Sequence, residues 1–326
     1  MRIFLTGATG FVGRHVAAAL TAQGHVLRCL VRSEARAAHL IEAGHEIIAG
    51  GILDARALRD GVAGVDAVVH VAGLIAARSY TEMRAVNVTG CGLLADACAR
   101  SGHTPGRFVL ISSLAAGGPS RASGQGVRED DAPRPVSRYG QSKLDGECAT
   151  RRGLPRGTGL TIVRPPAVYG PHDRGILDFF RAAARGVHLH LGSRRISIVH
   201  GEDLARGVVA ALEAPAAAGR TYYVANPDSH TMNDLLGRIV TAVGRSAVAV
   251  SVPEFAVRAA GVVAEEIARV RGVVPTFSRD KVREFLASGW VCDAARARAD
   301  LGWTPSHAID AGLRTTADWY RERGWL

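Results

Sequence analysis

Lysine is almost absent from this chain. Only Lys143 and Lys281 occur in 326 residues, although Lys and Arg together number 40. Arginine therefore carries nearly all of the positive charge, and the net charge is +10. Such a balance attracts polyanions. The arginines are scattered, however, with no basic arm, no zinc-finger spacing and no RNP sequence. A solvated arginine-rich surface is expected, and a nucleic-acid partner is not. Cysteine is sparse as well. Cys29, Cys91, Cys98, Cys148 and Cys292 are odd in number and form no CxxC, which fits a reduced, cytoplasmic protein. No window reaches the roughly 18 uncharged apolar residues of a membrane span. The nearest, Val252 to Val270, is broken by Arg258, Glu265 and Glu266. No signal peptide is evident, since Ile3-Phe4-Leu5 runs straight into glycines. Gly-x-Ser-x-Gly and HExxH are both missing, which leaves hydrolase chemistry without a motif.

What is present is an alternation. Apolar strands are predicted over Arg2–Thr6, His25–Val31, Glu46–Ala49, Ala67–Val71, Arg107–Ile111 and Leu160–Val163. Helical patterns fall between them, at Gly13–Gln23, Met83–Arg100 and Tyr139–Arg151. Strands alternating with helices imply an α/β fold with a parallel, doubly wound sheet. Residues 117–137 read as a loop rich in Gly, Ser and Pro. After Pro165 the rhythm changes. A helix is expected near Gly175–Arg185, and Ser197–His200 and Thr221–Val224 are expected to return to the sheet. The division is 1–165 with 196–225 for the sheet domain, and 166–195 with 226–326 for a smaller, mostly helical lobe. That lobe would cover the carboxyl ends of the strands, where ligands bind in such sheets.

The glycine motif Thr6-Gly7-Ala8-Thr9-Gly10-Phe11-Val12-Gly13 follows the first strand and opens a helix. Gly7 permits the tight turn, Gly10 lets backbone approach a pyrophosphate, and Gly13 lets the helix pack closely on the sheet. The helix start offers free N–H groups to phosphate, so Thr9, Phe11 and Val12 join the glycines as cofactor candidates. The second strand ends in Leu30-Val31-Arg32-Ser33, without the acid that holds an NAD ribose. Arg32 suits a 2′-phosphate, so NADP is expected, with NAD as the alternative. Asp54 is expected to cap the next helix, while backbone at Ile52 and Leu53 lines the adenine pocket. The fourth strand ends in Val69-His70-Val71-Ala72-Gly73. Val71, Ala72 and Gly73 are small enough for a cofactor to lie close, and His70 reads as a packed strand residue. Asn87 sits in an apolar helix and needs a partner for its amide.

Ser112 and Ser113 end the fifth strand, where a hydroxyl can reach the crevice. One of the two lysines, Lys143, lies four residues after Tyr139, on the same helix face. A cation beside a phenol favours the phenolate, so Lys143 is expected to lower a pKa that starts near ~10. Tyr139 thereby becomes a candidate acid/base. His188 and His190 would share one strand face but lack a third ligand, so no metal is expected.

Together these residues resemble the extended short-chain dehydrogenase/reductase family, the NAD(P)-dependent epimerase/dehydratase-like group. The elements are TGxxGxxG at Thr6–Gly13, His70–Gly73, Asn87, Ser112-Ser113, Tyr139-xxx-Lys143 and Arg164-Pro165-Pro166-Ala167-Val168-Tyr169-Gly170-Pro171. The resemblance implies a Rossmann domain with a C-terminal substrate lobe. It implies that Ser113 orients the substrate oxygen, Tyr139 is the acid/base and Lys143 holds the nicotinamide ribose. Asn87 would hold the active-site helix and its proton path, and Pro166 and Val168 would lie near the nicotinamide. Three positions depart from the pattern. Ala167 replaces an asparagine usual in nucleotide-sugar enzymes, Gly117 replaces a tyrosine, and Gly51 replaces an acid beside the adenine. The C-terminal lobe looks more like the branch of 3β-hydroxysteroid dehydrogenases and dihydroflavonol-type reductases.

The expected activity is hydride transfer between NADP(H) and a carbonyl or secondary alcohol of a fairly apolar, non-sugar small molecule. The pocket is expected to be lined by Pro166–Tyr169 and by a helix after Pro253 that presents Phe255, Ala259, Val262, Val263 and Ile267. The alternatives are a nucleotide-sugar epimerase or dehydratase that retains NAD, and a cofactor-binding protein without turnover. A homodimer is left open as the assembly.

Overall fold

The first strand, β1 (Arg2–Thr6), is buried on both faces. Ile3 and Leu5 join one apolar cluster and Phe4 the other. That is the pattern of a parallel strand covered by helices on either side. The computed structural model describes residues 1–121, 125–275 and 277–326. The further strands are β2 (Val26–Val31), β3 (Glu46–Ala49), β4 (Ala67–His70), β5 (Arg107–Ile111), β6 (Gly159–Arg164), β7 (Ala167–Tyr169), β8 (Val187–His190), β9 (Arg195–His200), β10 (Thr221–Tyr223), β11 (Ser229–Thr231) and β12 (Val248–Ser251). The helices of the sheet domain are α1 (Phe11–Ala22), α2 (Ala38–Glu42), α3 (Ala55–Val62), α4 (Tyr80–Arg84), α5 (Gly90–Arg100), α6 (Leu114–Gly117) and α7 (Arg138–Gly153). Those that follow are α8 (Leu177–Ala184), α9 (Gly201–Glu213), α10 (Met232–Val243), α11 (Glu254–Arg271), α12 (Arg279–Phe285), α13 (Ala295–Leu301) and α14 (Ile309–Glu322).

Seven strands form one parallel sheet in the order β10-β6-β5-β4-β1-β2-β3. The chain winds outward in both directions from β1 and β4, so the crevice between their carboxyl ends is the topological switch point. Register brings those ends level: Thr6 pairs with Leu30 and with His70, His70 with Leu110, and Ile111 with Val163. On one face α1 and α9 bury Val16, Leu20 and Val208. On the other, α3 and α5 bury Leu58 and Leu94. The fold is the α/β, Rossmann-type sheet with a helical C-terminal region that the alternation of strands and helices implied.

One expectation about the sheet is corrected. Ser197–His200 does not return to it. β9 lies in a separate three-stranded sheet, parallel to β7 and antiparallel to β11. The main sheet ends at β10, which pairs with β6. Ile196 and Ile198 instead pack with Phe180, Leu235, Ile239, Leu313 and Tyr320 in a third apolar cluster. The helix expected at Met83–Arg100 runs unbroken from Tyr80 to Arg100 and carries a π turn at Ala85–Thr89 between α4 and α5. Residues 122–124 of the expected loop 117–137 lie outside the described residues.

Candidate active site

The glycine turn after β1 is built from backbone that admits no side chain. Gly7 has φ +79°, and a Cβ there would stand 2.6 Å from the Ala72 nitrogen. A Cβ on Gly13 would overlap the Gly7 carbonyl. The turn, the end of β4 and the start of α1 are thereby pressed together. No side chain caps α1, and its first turn holds no acid. Gly10 is exposed, and Thr9, Phe11 and Val12 are half-buried around the helix start. Across the switch point Val71 and Ala72 are half-buried and Gly73 is exposed. A Cβ on Gly73 would lie 3.3 Å from Asn87 Oδ1 and 3.4 Å from Lys143 Nζ. A bare helix start beside bare strand ends suits a dinucleotide's pyrophosphate.

Arg32 is exposed at the end of β2 and makes no ion pair among the described residues. Its side chain runs over Gly51, whose Cβ would meet the Arg32 Cγ and Cδ at 3.8 Å. Asp54, beyond Gly51, caps α3, accepting the Arg56 and Ala57 N–H groups at 3.0 Å. Leu53 beside it is exposed, while Ile52 is buried.

Ser137 caps the helix that carries Tyr139, its Oγ accepting the Gly140 N–H at 2.9 Å. Tyr139 and Lys143 share α7 one turn apart and meet the end of β5. The Ser113 hydroxyl lies beside the Tyr139 phenol and accepts the Ala115 N–H at 3.1 Å, starting α6. Ser112 is occupied otherwise, its Oγ donating to Glu147 at 2.5 Å. Lys143 is buried, and its Nζ donates to the Ile111 carbonyl at 2.7 Å. Burial lowers its pKa against the pull of Cys91 and Glu147.

The expected effect of Lys143 on Tyr139 is corrected. Burial pushes the phenol up to about 12, the Ser113 hydroxyl beside it acts in the opposite direction, and the Glu284 carboxylate adds to the rise. The ammonium is turned to the strand end and is not among the groups that move the phenol. The Tyr139 phenol is thus neutral at ordinary pH.

Asn87 has the partners its apolar setting requires. From the π turn its Nδ2 donates to the Leu74 carbonyl and to Ser142 Oγ, both at 2.9 Å, and its Oδ1 accepts the Leu74 N–H at 2.8 Å. It ties the loop after β4 to the helix of Tyr139. His70 is a packed residue, between Thr6 Oγ1 at 2.6 Å and Cys91 Sγ at 3.3 Å, and burial lowers its pKa to about 3.

Two supports escaped the sequence reading. The first is a buried ion pair: Arg164 Nε and Nη2 meet both oxygens of Glu147 at 2.8 and 2.7 Å. Burial opposes the Arg164 charge, but Glu147 outweighs it and the net shift is upward. Glu147 falls one turn after Lys143, and a charge on that buried face was the available signal. The second is α12. Its Asp280 accepts the Arg138 and Tyr139 N–H groups at 2.8 and 3.3 Å, and Glu284 accepts the Ser137 hydroxyl at 2.5 Å.

Other candidates fall differently. Pro166 and Val168 are half-buried and Ala167 is exposed, but Tyr169 is core, packed on Gly312 and His200. Phe255, Ala259, Val262, Val263 and Ile267, expected on a pocket wall, lie on the outer face of α11. They are exposed, because α11 packs on α12 through its opposite face, where Gly261 meets Val282. A Cβ on Gly117 would collide with the Tyr223 hydroxyl, so a side chain is excluded there. His188 and His190 stand side by side on β8. His200, Glu202 and His307 come within metal-ligand reach of one another. The two rings are stacked at 4.0 Å, so their lone pairs run side by side and do not converge.

The model of the NAD dependent epimerase/dehydratase family matches residues 3–225. The chain belongs to that family. It is similar to the ceramide reductase of Caulobacter vibrioides, 32% identical over 99% of this chain and 96% of the relative. It is also similar to the 2-alkyl-3-oxoalkanoate reductase of Stenotrophomonas maltophilia, at 26% identity over 96% of this chain and 98% of the relative. Among solved structures it superposes on the UDP-glucuronic acid 4-epimerase of Bacillus cereus in complex with UDP-glucuronic acid and NAD. The TM-score is 0.76 with 20% identity, covering 99% of this chain and 100% of the other, which is a likeness of fold. Family membership makes the chain an NAD(P)-dependent enzyme of the dehydrogenase/reductase or epimerase type. No helix among the described residues is long and apolar enough to cross a membrane.

Proposed function

We propose that the chain is an NADP(H)-dependent reductase that converts a ketone on a long, apolar, non-sugar substrate to a secondary alcohol. The observation that carries this reading is the Tyr139 phenol, neutral and set beside the Ser113 hydroxyl at the end of β5. A neutral phenol beside a hydroxyl is equipped to bind and protonate a carbonyl oxygen. Ser113 donates to that oxygen and fixes its position. Tyr139 delivers the proton as the carbonyl carbon gains hydride, so that one C–H and one O–H bond form. NADPH, when bound, supplies the hydride. Lys143 and Asn87 form the floor under the bare backbone of Gly73, placed to hold the ribose of the nicotinamide. Gly7, Gly10 and Gly13 cradle the pyrophosphate. Arg32, free of an acid partner, takes the 2′-phosphate as a guanidinium fork. Leu53, Val71, Ala72, Pro166 and Val168 supply apolar contact along the cofactor.

The apolar substrate rests on two features. The relatives named above are a ceramide reductase and a 2-alkyl-3-oxoalkanoate reductase. Ala167 presents a methyl group at an exposed position of β7, where a sugar site needs a fixed polar partner. The test follows NADPH oxidation with long-chain 3-oxo acids, oxidised ceramides and small hydroxy-ketones, beside UDP- and dTDP-sugars. Turnover is expected on long-chain ketones. Epimerisation of a nucleotide sugar, with no reduction of any ketone, would overturn the proposal.

A further inference from the structure

Helix α11 wears its apolar residues on the outside. Phe255 is 75% exposed, Val263 56%, Ile267 47% and Val270 84%. Spacings of eight, four and three residues put all four on one side of the helix. The opposite side, with Val257, Gly261 and Ala268, is buried. This is the reverse of a soluble surface helix, and an exposed apolar stripe of this length marks an interaction surface.

The charges around the stripe that lack an ion pair among the described residues are of one sign. Glu254 is paired with Arg194, and Glu265 and Glu266 with Arg279. Arg258 and Arg271 are exposed and make no ion pair among the described residues. Helical spacing sets them on the two edges of the stripe. Arg245 and Arg283, on the segments before and after, are likewise exposed and without an ion pair among the described residues. An apolar face rimmed by free arginines suits the headgroup region of an anionic bilayer, with the helix lying in the surface plane. A second copy of this chain suits it less, because a symmetric contact would set these arginines against one another.

We infer that the outer face of α11 docks this protein on an anionic lipid surface. Its position gives the docking a use. α12 packs on the inner face of α11 and bonds the start of the Tyr139 helix, so a single helix links the docked element to the active-site helix. Delivery of substrate from the bilayer rests on the reading of an apolar substrate, whereas the docking itself does not.

The experiment is flotation of the full chain with vesicles, without cofactor or ketone. One set is equal parts phosphatidylcholine and phosphatidylglycerol, the other phosphatidylcholine alone. The protein is expected to float with the anionic vesicles and to be released by salt. Phe255→Ser with Val263→Ser and Val270→Ser should lower binding at least about tenfold. Arg258→Gln and Arg271→Gln should each lower it about fivefold. The triple variant should keep turnover of a water-soluble ketone and lose turnover of a vesicle-borne one. A wild type that stays unbound at low salt, or a triple variant that floats as well as wild type, overturns the docking. A wild-type dimer that the triple variant converts to monomer also overturns it, in favour of a second copy. Flotation without reduction of any apolar ketone keeps the docking and removes the substrate reading.

Discussion

Asp280 and Tyr139, far apart in the chain, meet at the first turn of α7, where the Asp280 carboxylate accepts the Tyr139 N–H at 3.3 Å. With the Arg138 N–H at 2.8 Å, one side chain of the C-terminal lobe satisfies two amides that the helix itself leaves unpaired. The helical C-terminal region therefore holds the helix that carries the phenol. Asp280→Ala should cost about 0.5–2 kcal/mol of stability. It should lower kcat while the Kd for NADPH stays near wild type. Asp280→Asn retains an acceptor and should recover most of the rate. Equal losses in kcat for Ala and Asn would show that the hydrogen bonds do not matter.

Tyr139→Phe should lower kcat on the order of 10² to 10⁴, the range for a positioned proton donor. Cofactor affinity, measured by fluorescence titration, should be nearly unchanged. A variant with most of its turnover would remove Tyr139 from the mechanism.

The pH dependence has a definite sign. A donor pushed up to about 12 stays protonated through neutral and moderately alkaline pH, so reduction should show no falling limb from Tyr139 in that range. The Glu284 carboxylate disfavours the phenolate, so Glu284→Gln should move the alkaline limb to lower pH. Profiles of kcat/KM for the two proteins decide this. A limb near neutrality in wild type that Tyr139→Phe abolishes would contradict the raised phenol.

Arg32→Ala should weaken NADP(H) binding by about 1.5–3 kcal/mol, the range for hydrogen bonds to a charged group, and leave NAD(H) unaffected. Calorimetric titration of both cofactors reads it directly. Equal wild-type affinities, unchanged by the substitution, would show that Arg32 selects nothing.

Glu147→Ala leaves the Arg164 charge buried without its partner and the Ser112 hydroxyl without its acceptor. The expected loss is about 3–5 kcal/mol in chemical unfolding. Glu147→Leu combined with Arg164→Met should recover much of it, since both charges then leave the interior together.

The readability of this chain divides along a physical line. β1 and β5 were legible to the residue, because a buried parallel strand is a short apolar run and little else competes for that pattern. The glycine turn was legible because contact at Gly7 and Gly13 forbids any side chain. β9 was misassigned to the main sheet, since an apolar strand carries no mark of which sheet receives it. The outward face of α11 was read as a pocket wall for the same reason: periodicity shows that a face exists, not what lies against it. Glu147, Arg164, Asp280 and Glu284 act through partners distant in sequence, and local spacing does not reveal such pairs. The phenol of Tyr139 is set by desolvation, which only the packed structure displays.

The collision waiting at Gly117 makes residue 117 a poor target for altering substrate choice. The Tyr223 hydroxyl fills that space, and Arg164 Nη1 reaches the same hydroxyl at 3.4 Å. A tyrosine grafted at 117 would displace Tyr223 and disturb the guanidinium that secures Glu147 beneath the serines. Position 117 and position 223 thus constrain one another in this chain. Laboratory selection that samples one substitution at a time should find every route through residue 117 closed until Tyr223 has been shortened.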